Sequence, residues 1–426
     1  MTASPGAVQR TYLILTLLQT LAASFIWGVN TLFLLDAGLS NTEAFAANAF
    51  FAAGQVLFEV PTGVVADTRG RRFSYLLGAA TLLASTVLYL VMWQIHAPFI
   101  GWAVSSILLG LGFTFFSGAT EAWLVDALSA TGYRGGLEVV LGRAQTVGGA
   151  AMLFGSVSGG VVAQLTDLGV PYILRAVMLG ATLLVAARFM HDIGFSPRHD
   201  AGHIAEVRAV VRGSIDGGWR NPPVRALMLA APFTSGAGFF AFYASQPYLL
   251  QLFGDPSAYG IAGLTAAIFA GAQIAGGILV SRIRHLFRRR TDAIILGTTL
   301  NVAILAIIGW TGNFAVALLL LAVWAMVFAI ETPLRQAYIN GLISSEQRAT
   351  VLSFDSLMGS TGGVIAQPVL GRVADVYGYG PAYLVTGIIQ AVAVPFTIVA
   401  RRTKAASDPI LPEGPTKDED VAAPAA

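Results

Sequence analysis

The turn between two long apolar stretches of this chain reads GVVADTRGRR at residues 63–72. It places one carboxylate, Asp67, among three arginines. Glycines at Gly63 and Gly70 allow close helix approach and a sharp turn, because glycine has no Cβ atom. A carboxylate in such a turn accepts hydrogen bonds that hold the turn in one arrangement. The stretch therefore predicts a charged helical hairpin at a membrane surface.

The overall composition also predicts a membrane protein. Of the 426 residues, 55% are hydrophobic and only 11% are charged, and the mean hydropathy is +0.70. A soluble chain of this length needs more polar surface. The chain has no cysteine, which excludes disulfides and thiolate metal ligands. Arginine far outnumbers lysine and Ala and Gly are abundant, so we expect a GC-rich bacterial genome and a bacterial inner (plasma) membrane.

Twelve stretches are long and apolar enough to cross a bilayer as helices, which takes about 20 residues each. The predicted spans are residues 11–35, 43–66, 73–95, 98–127, 142–165, 170–191, 225–250, 258–281, 292–311, 314–340, 350–372 and 379–400. With the N-terminus inside, all of the 25 Lys and Arg except Arg175 and Arg372 fall on cytoplasmic segments. The positive-inside rule therefore predicts that both termini are cytoplasmic.

The hairpin at residues 63–72 resembles the signature between the second and third helices of the major facilitator superfamily. One position differs, because Thr68 follows the aspartate where the family usually has a basic residue. The resemblance implies an all-α polytopic membrane protein, with 12 transmembrane helices in two pseudo-symmetric six-helix bundles. It also implies secondary active transport of a small organic molecule by alternating access, in which the two bundles rock about a site at the membrane midplane.

The resemblance is greatest to the bacterial drug/proton antiporter (exporter) branches.

The chain divides into four predicted regions. These are an N-terminal six-helix bundle at 1–192, a cytoplasmic linker at 193–224, a C-terminal six-helix bundle at 225–402 and a disordered cytoplasmic tail at 403–426. The halves echo each other in sequence, as Ser158-Gly-Gly-Val-Val-Ala-Gln164 and Thr361-Gly-Gly-Val-Ile-Ala-Gln367 show. In the linker, apolar residues recur at helical spacing, which favours an amphipathic helix on the cytoplasmic surface. They are Ile204, Val207, Val211, Ile215 and Trp219.

The loop signature predicts a conformational latch. The resemblance implies that an acidic residue near the end of the fourth helix, Asp126, is set against Arg71 or the displaced Arg69. The predicted latch residues are Gly63, Asp67, Arg69, Gly70, Arg71 and Asp126. A similar stretch, GRVADVYG at residues 371–378, falls on the outer side by the helix count, so we do not expect it to be a second copy of that loop.

Carboxylates inside the predicted helices are candidates for proton coupling, since a charge at the bilayer centre costs about 2.5–3.5 kcal/mol on insertion scales. The candidates are Glu121, Glu331 and Glu59. Glu331 and Arg335 are four residues apart, so an ion pair within one helix is the simpler interpretation for them. Glu121 has no basic residue at that spacing, and burial without a partner favours the protonated form that a proton carrier needs.

Small residues in the fifth helix, Gly155, Gly159 and Gly160, resemble the antiporter signature of the family, although Ser156 replaces its proline. Close helix packing explains the same glycines without any role in export. Ser106 occupies the place where exporters often carry a basic residue in the fourth helix. The resemblance implies that the first, fourth, seventh and tenth helices line the substrate cavity. The candidates are Trp27, Asn30, Phe239, Tyr243, Gln246 and Trp324.

The sequence carries no phosphate-binding loop, metal-ligand spacing or nucleophile motif, so we predict neither an enzyme nor a bound metal or cofactor. The expected partners are a small-molecule substrate, protons and the lipid bilayer, with no nucleic acid, and the expected functional unit is a monomer. Proton-coupled efflux is the leading prediction. A proton-coupled or facilitative importer of a sugar or other metabolite, and a receptor or scaffold that does not transport, remain alternatives.

Overall fold

The computed structural model describes residues 4–116, 119–197, 218–343 and 348–410. Within these ranges the regular structure is helical, apart from an isolated bridge between Arg289 and Pro409. The first half contains α1 (Pro5–Trp27), α2 (Asn30–Asp36), α3 (Asn41–Arg69), α4 (Arg71–Gln94), α5 (Phe99–Thr114), α6 (Ala119–Ala130), α7 (Leu137–Leu165) and α8 (Gly169–Phe189). The second half contains α9 (Pro222–Phe253), α10 (Tyr259–Ile283), α11 (Arg290–Trp310), α12 (Phe314–Asn340), α13 (Arg348–Tyr377), α14 (Tyr379–Ala391) and α15 (Ala393–Arg402).

The helices agree with the predicted all-α membrane architecture. Within the described ranges, ten helical stretches are long and apolar enough to cross a membrane. Helices α1 and α2, which meet at 50°, add an eleventh if they form one span. The predicted span at 350–372 lies within α13, a helix of 30 residues that is not among these apolar stretches. Its polar residues have a structural explanation, because one face of α13 lines a cavity.

Among the described residues, the most extensive contacts between the halves are those of α3 with α13 and of α7 with α10. Glycines bring the backbones together in both pairs. A Cβ atom added at Gly160 would lie 2.7 Å from the Cα atom of Gly263, and one added at Gly371 would lie 2.8 Å from the carbonyl oxygen of Asn41. A side chain at either position would push the halves apart, so the joints require glycine.

The halves meet at one end of the bundle and separate toward the other. We call the end that carries Arg69, Arg71 and Arg72 the basic face, and the other end the opposite face. At the opposite face a single apolar core includes Phe33 of the first half and Leu250 of the second. Toward the basic face each half has its own core. The hydrophobic contacts therefore close the opposite face, whereas the two halves do not share a core at the basic face.

The linker and tail are described only in part. The predicted amphipathic helix falls outside the described residues except for Trp219, which is exposed. The predicted disordered tail begins at residue 403, but residues 403–410 pack on the second half. Asp408 is only 1% exposed, and its carboxylate accepts hydrogen bonds from the backbone N–H and hydroxyl of Thr291 at the start of α11. That capping holds residues 403–410 against the second half, and the rest of the predicted tail lies outside the described residues.

Candidate functional site

A polar cavity of about 440 Å³ lies among α9, α12 and α13. It extends to the ends of α12 and α13 at the basic face, because Asn340 and Leu352 belong to its wall. Its lining is Ala231, Thr234, Ser235, Phe239, Phe328, Glu331, Thr332, Arg335, Gln336, Asn340, Leu352, Asp355, Ser356, Gly359, Ser360 and Gln390. The volume and the mixture of two aromatic rings with many polar groups suit a small organic ligand.

Helical periodicity explains why these side chains share a wall. On α13 the lining residues are Leu352, Asp355, Ser356, Gly359 and Ser360, which recur at three- and four-residue intervals. The same interval separates most of the lining residues of α12. Residues at these intervals lie on one face of a helix. Each helix therefore turns one polar stripe toward the cavity.

The charges of the cavity are paired across helices rather than along one helix. Arg335 of α12 donates two hydrogen bonds to the carboxylate of Asp355 on α13, at 2.5 and 2.6 Å, and a third to the carbonyl oxygen of Leu227 at 3.1 Å. This bidentate geometry is the strong form of an arginine–carboxylate pair. The ion pair within α12 that the spacing predicts does not form, because Asp355 takes its place.

Glu331 is left with a neutral partner. Its Oε1 atom accepts a hydrogen bond of 2.8 Å from the hydroxyl of Thr298 on α11. The side chain is half-buried and belongs to the cavity wall. With Arg335 and Asp355 neutralising each other, the cavity contains one carboxylate in excess. Such a group can gain and lose a proton while the neighbouring ion pair stays intact.

Two amide oxygens in the wall lack partners. The Oε1 atom of Gln390 and the Oδ1 atom of Asn340 are buried and accept no hydrogen bond from any described residue. A buried acceptor without a donor costs about 1–3 kcal/mol. A bound molecule or water that donates hydrogen bonds would relieve this cost. Neither amide was among the sequence candidates, because a single polar residue in a predicted helix does not show which way it faces.

The other two coupling candidates lie outside this wall. Glu121, in the first turn of α6, is exposed. Glu59 is an exposed residue of α3. Neither belongs to the lining of the cavity. The structure thus brings one of the three predicted carboxylates, Glu331, into the cavity.

Of the six predicted substrate contacts, Phe239 belongs to the cavity wall. Trp324 is buried against Phe269 and Phe328. Gln246 joins the halves, since its amide nitrogen donates to the Trp27 carbonyl and its amide oxygen accepts from the Thr31 backbone N–H, both at 2.9 Å.

The remaining candidates lie in a polar network of the first half and at its border. Asn30 donates to the side-chain oxygen of Asn48 and accepts a hydrogen bond from the hydroxyl of Tyr172, both at 2.9 Å. Tyr243 of the second half packs edge-on against Phe242, with ring centres 5.2 Å apart. Trp27 stacks on Phe242 with ring centres 4.6 Å apart. In this state these groups bind each other near the junction of the halves.

The predicted latch residues gather at the basic face. Arg71 bonds to Asp67 and its Nε atom lies 3.8 Å from a carboxylate oxygen of Asp126. Arg69 instead lies over the ring of Phe73, at 5.7 Å. Of the two arginines left open by the sequence, Arg71 is therefore the one that meets Asp126. All members belong to the first half, so in this state the cluster joins helices within one half.

The turn itself is held by a residue that the sequence did not single out. Gly70 has φ of 109° and precedes the first residue of α4. Its positive φ disfavours any residue with a side chain. Asp192, which directly precedes the predicted linker, accepts a 2.8 Å hydrogen bond from the backbone N–H of Arg72. The carboxylate caps α4, where a negative charge stabilises the free N–H groups. It also ties the linker to the loop.

The three glycines of the fifth predicted span lie at close helix contacts. A Cβ atom at Gly155 would lie 1.9 Å from the hydroxyl of Ser24, and one at Gly159 would lie 2.0 Å from the carbonyl of Phe25. These contacts and the one at Gly160 pack α7 against α1 and α10. The packing interpretation accounts for all three residues.

A buried arginine also lies outside the predicted site. Arg175 of α8 is 2% exposed. It donates to the hydroxyl of Thr86 at 3.0 Å and to the carbonyl of Ala22 at 3.2 Å. These neutral acceptors connect α8 to α4 and α1. No three described His, Asp or Glu side chains are grouped closely enough to hold a metal ion.

Comparisons with known proteins agree with this architecture. The model of the Major Facilitator Superfamily matches residues 12–366, with a second match over 229–420. The uncharacterized MFS-type transporter YxaM of Bacillus subtilis (strain 168) is 21% identical over 399 residues, covering 90% of this chain and 94% of that protein.

Solved structures show the same fold at low sequence identity. The nucleoside transporter NupG is 12% identical, with a TM-score of 0.75 over 93% of this chain and 99% of its own. A bacterial homolog of the human lysosomal transporter Spinster, in an inward-facing and unoccupied conformation, is 14% identical, with a TM-score of 0.71 over 96% of this chain and 99% of its own. The chain therefore belongs to the Major Facilitator Superfamily and is a multi-pass membrane protein that acts as a secondary transporter, not an enzyme.

Proposed function

We propose that this transporter exports a small organic molecule in exchange for protons, with Glu331 as the coupling carboxylate. The observation that carries the proposal is the half-buried Glu331 in the wall of the cavity, next to an ion pair that is already complete. A carboxylate in this position can carry either a proton or a negative charge that attracts a ligand. Competition between proton and substrate for one group couples their movements.

The proposed orientation places the basic face in the cytoplasm of a bacterial inner membrane, with both termini on that side. The concentration of arginines at this face supports it. The cavity reaches the basic face, while contacts between the halves close the opposite face. The state described is then inward-facing. A monomer suffices for this mechanism, because both halves and the cavity belong to one chain.

The cycle needs a second state in which the basic face closes. The cluster of Asp67, Arg71 and Asp126 lies at the end of α3 on that face. We propose that this cluster is the latch of the closed state. Its position supports the proposal, because movement of the first half carries the cluster toward the beginning of α13. In the present state the cluster is held within its own half.

Inside-out vesicles test the proposal directly. With an acidic lumen, an exporter that exchanges protons should accumulate substrate in the lumen. The solved relatives named above suggest nucleosides for a panel of labelled compounds, and short peptides, organic anions and organic cations complete it. Glu331→Gln should abolish accumulation and retain exchange of labelled for unlabelled substrate. The matched control is Glu138→Gln, an exposed residue at the start of α7, which should leave accumulation unchanged.

Other outcomes point to the alternatives. Accumulation that requires right-side-out vesicles would indicate an importer. Full coupling in Glu331→Gln would exclude this residue, and the same assay on Glu121→Gln and Glu59→Gln would then test the other two carboxylates. Failure of the wild-type protein to exchange any compound of the panel would favour the receptor or scaffold.

A further inference from the structure

The opposite face is closed by a carboxylate of one half that caps a helix of the other. Asp375, near the end of α13, accepts hydrogen bonds from the backbone N–H groups of Asn41 and Thr42, both at 2.9 Å. It also accepts a hydrogen bond from the Thr42 hydroxyl. Tyr379, at the start of α14, donates its hydroxyl hydrogen to the side-chain oxygen of Asn41. These four contacts run between the halves.

Without Asp375, only some of the first N–H groups of α3 have a hydrogen-bond partner. Ser40 and Glu43 form a capping box, in which the Ser40 hydroxyl accepts from the Glu43 N–H and the Glu43 carboxylate accepts from the Ser40 N–H. The N–H groups of Asn41 and Thr42 have no partner within their own turn, as expected for a helix start. Asp375 supplies that partner, and its negative charge lies at the positive end of α3.

The same sequence pattern occurs at both ends of the molecule. Residues 63–70 and 371–378 both read Gly-x-Val-Ala-Asp-x-x-Gly. In both places the last glycine has a positive φ, 109° at Gly70 and 88° at Gly378, and precedes the next helix. Residues 371–378, which the helix count places on the outer side, therefore form the same type of turn as residues 63–70, but on the opposite face.

We propose that Asp375 is a clasp that holds the opposite face closed and sets the population of the state with that face open. The clasp consists of Asp375, Asn41, Thr42 and Tyr379. Opening the opposite face separates α3 from α13 and exposes two N–H groups and a carboxylate to water. The inference rests on the proposed alternation of the two halves, and it concerns only the equilibrium between the two states.

The native absence of cysteine makes the test direct. A pair of spin labels on cysteines at Ile95 and Gly312 reports the opening of the opposite face. Ile95 is exposed at the end of α4, and Gly312 has open space around its missing Cβ. A second pair at Gly142 and Leu286 reports the basic face. The distances are measured in the full-length protein, reconstituted in lipid, without any substrate.

Asp375→Ala should raise the population with a long distance at the opposite face about tenfold, since a charged cap at a helix start is worth about that factor. The matched control is Asp167→Ala. Asp167 also caps two N–H groups on the same face, those of Gly169 and Val170 at 2.8 and 3.1 Å, but it belongs to the same half as its partners. This control should leave both distance distributions as in the wild type.

Unchanged distances in Asp375→Ala would overturn the clasp, and so would an equal shift in Asp167→Ala. If Asp375→Ala does not fold, the paired variants Thr42→Val and Tyr379→Phe remove one contact each. Each of them should shift the population about threefold in the same direction, and no shift in either would overturn the inference. A wild-type protein with one fixed distance at each face, under every pH gradient, would instead contradict the alternation itself.

Discussion

Replacing Asp355 by asparagine should destabilise the second half far more than replacing Glu331 by glutamine. Asp355 is 8% exposed and receives two hydrogen bonds from Arg335. The asparagine keeps the shape but removes the charge, and it leaves the guanidinium with two neutral acceptors, the amide oxygen of the asparagine and the Leu227 carbonyl. Breaking a buried pair in this way costs about 3–5 kcal/mol.

The exposure of Arg335 to the cavity reduces this cost of breaking the pair. The side chain of Arg335 is 21% exposed, so water can solvate part of the stranded charge. We expect a loss of about 2–3 kcal/mol in the free energy of unfolding, or about 30- to 150-fold in the folded-to-unfolded ratio. Glu331→Gln strands no cation, because the Glu331 carboxylate is bonded to the Thr298 hydroxyl. Its loss should be about 1 kcal/mol or less.

Thermal unfolding of the two purified variants in the same detergent measures the difference. The melting temperature of Asp355→Asn should fall by about 5–10 °C, and that of Glu331→Gln by about 3 °C or less. The double variant Arg335→Met with Asp355→Leu should recover most of the loss, since no charge remains unpaired. Equal losses in the two single variants would refute the reasoning, because Glu331 would then share in the pairing of Arg335.

Three further predictions concern the latch, the packing and the topology. Asp67→Asn should lower turnover about tenfold at normal expression, because the amide keeps the shape and loses the charge that bonds Arg71. Transport at the wild-type rate would contradict the proposed latch. Gly159→Leu should abolish folding, since even a Cβ would lie 2.0 Å from the Phe25 carbonyl, whereas Gly142→Ala meets open space and should leave the melting temperature unchanged. Cysteines at Arg69 and Arg288 should react with a membrane-impermeant reagent only from the cytoplasmic side, and labelling from outside would contradict the proposed orientation.

The sequence predicted the helices well because a bilayer allows few alternatives. An apolar stretch of about 20 residues must be helical in lipid, so composition alone locates most spans. The span predicted at 350–372 also lies within a helix, α13, although Asp355, Ser356 and Ser360 lower its hydropathy. The four-residue spacing of Ser356 and Ser360 is itself informative, since polar residues at three- and four-residue intervals in a membrane helix indicate a face turned away from lipid. This signal could have located the cavity wall.

The partners of the charged residues could not be predicted in the same way. The four-residue spacing of Glu331 and Arg335 predicts a pair along α12, but Asp355 on another helix offers two oxygens in the bidentate geometry. Which of the two carboxylates meets Arg335 depends on the rotation of α12 and α13 about their axes. Rotation is set by packing between helices, such as the contact of Gly362 with the Pro232 carbonyl. No single-helix pattern encodes it.

The two copies of the Gly-x-Val-Ala-Asp-x-x-Gly pattern show how one residue can change the use of a turn. In the first copy the residue four places after the aspartate is Arg71, and it bonds Asp67 within the same half. In the second copy that place holds Tyr379, which has no positive charge to offer Asp375. The second carboxylate therefore has no cation at that place, and it caps α3 of the other half. The turn thus stabilises one half in the first copy and joins the two halves in the second.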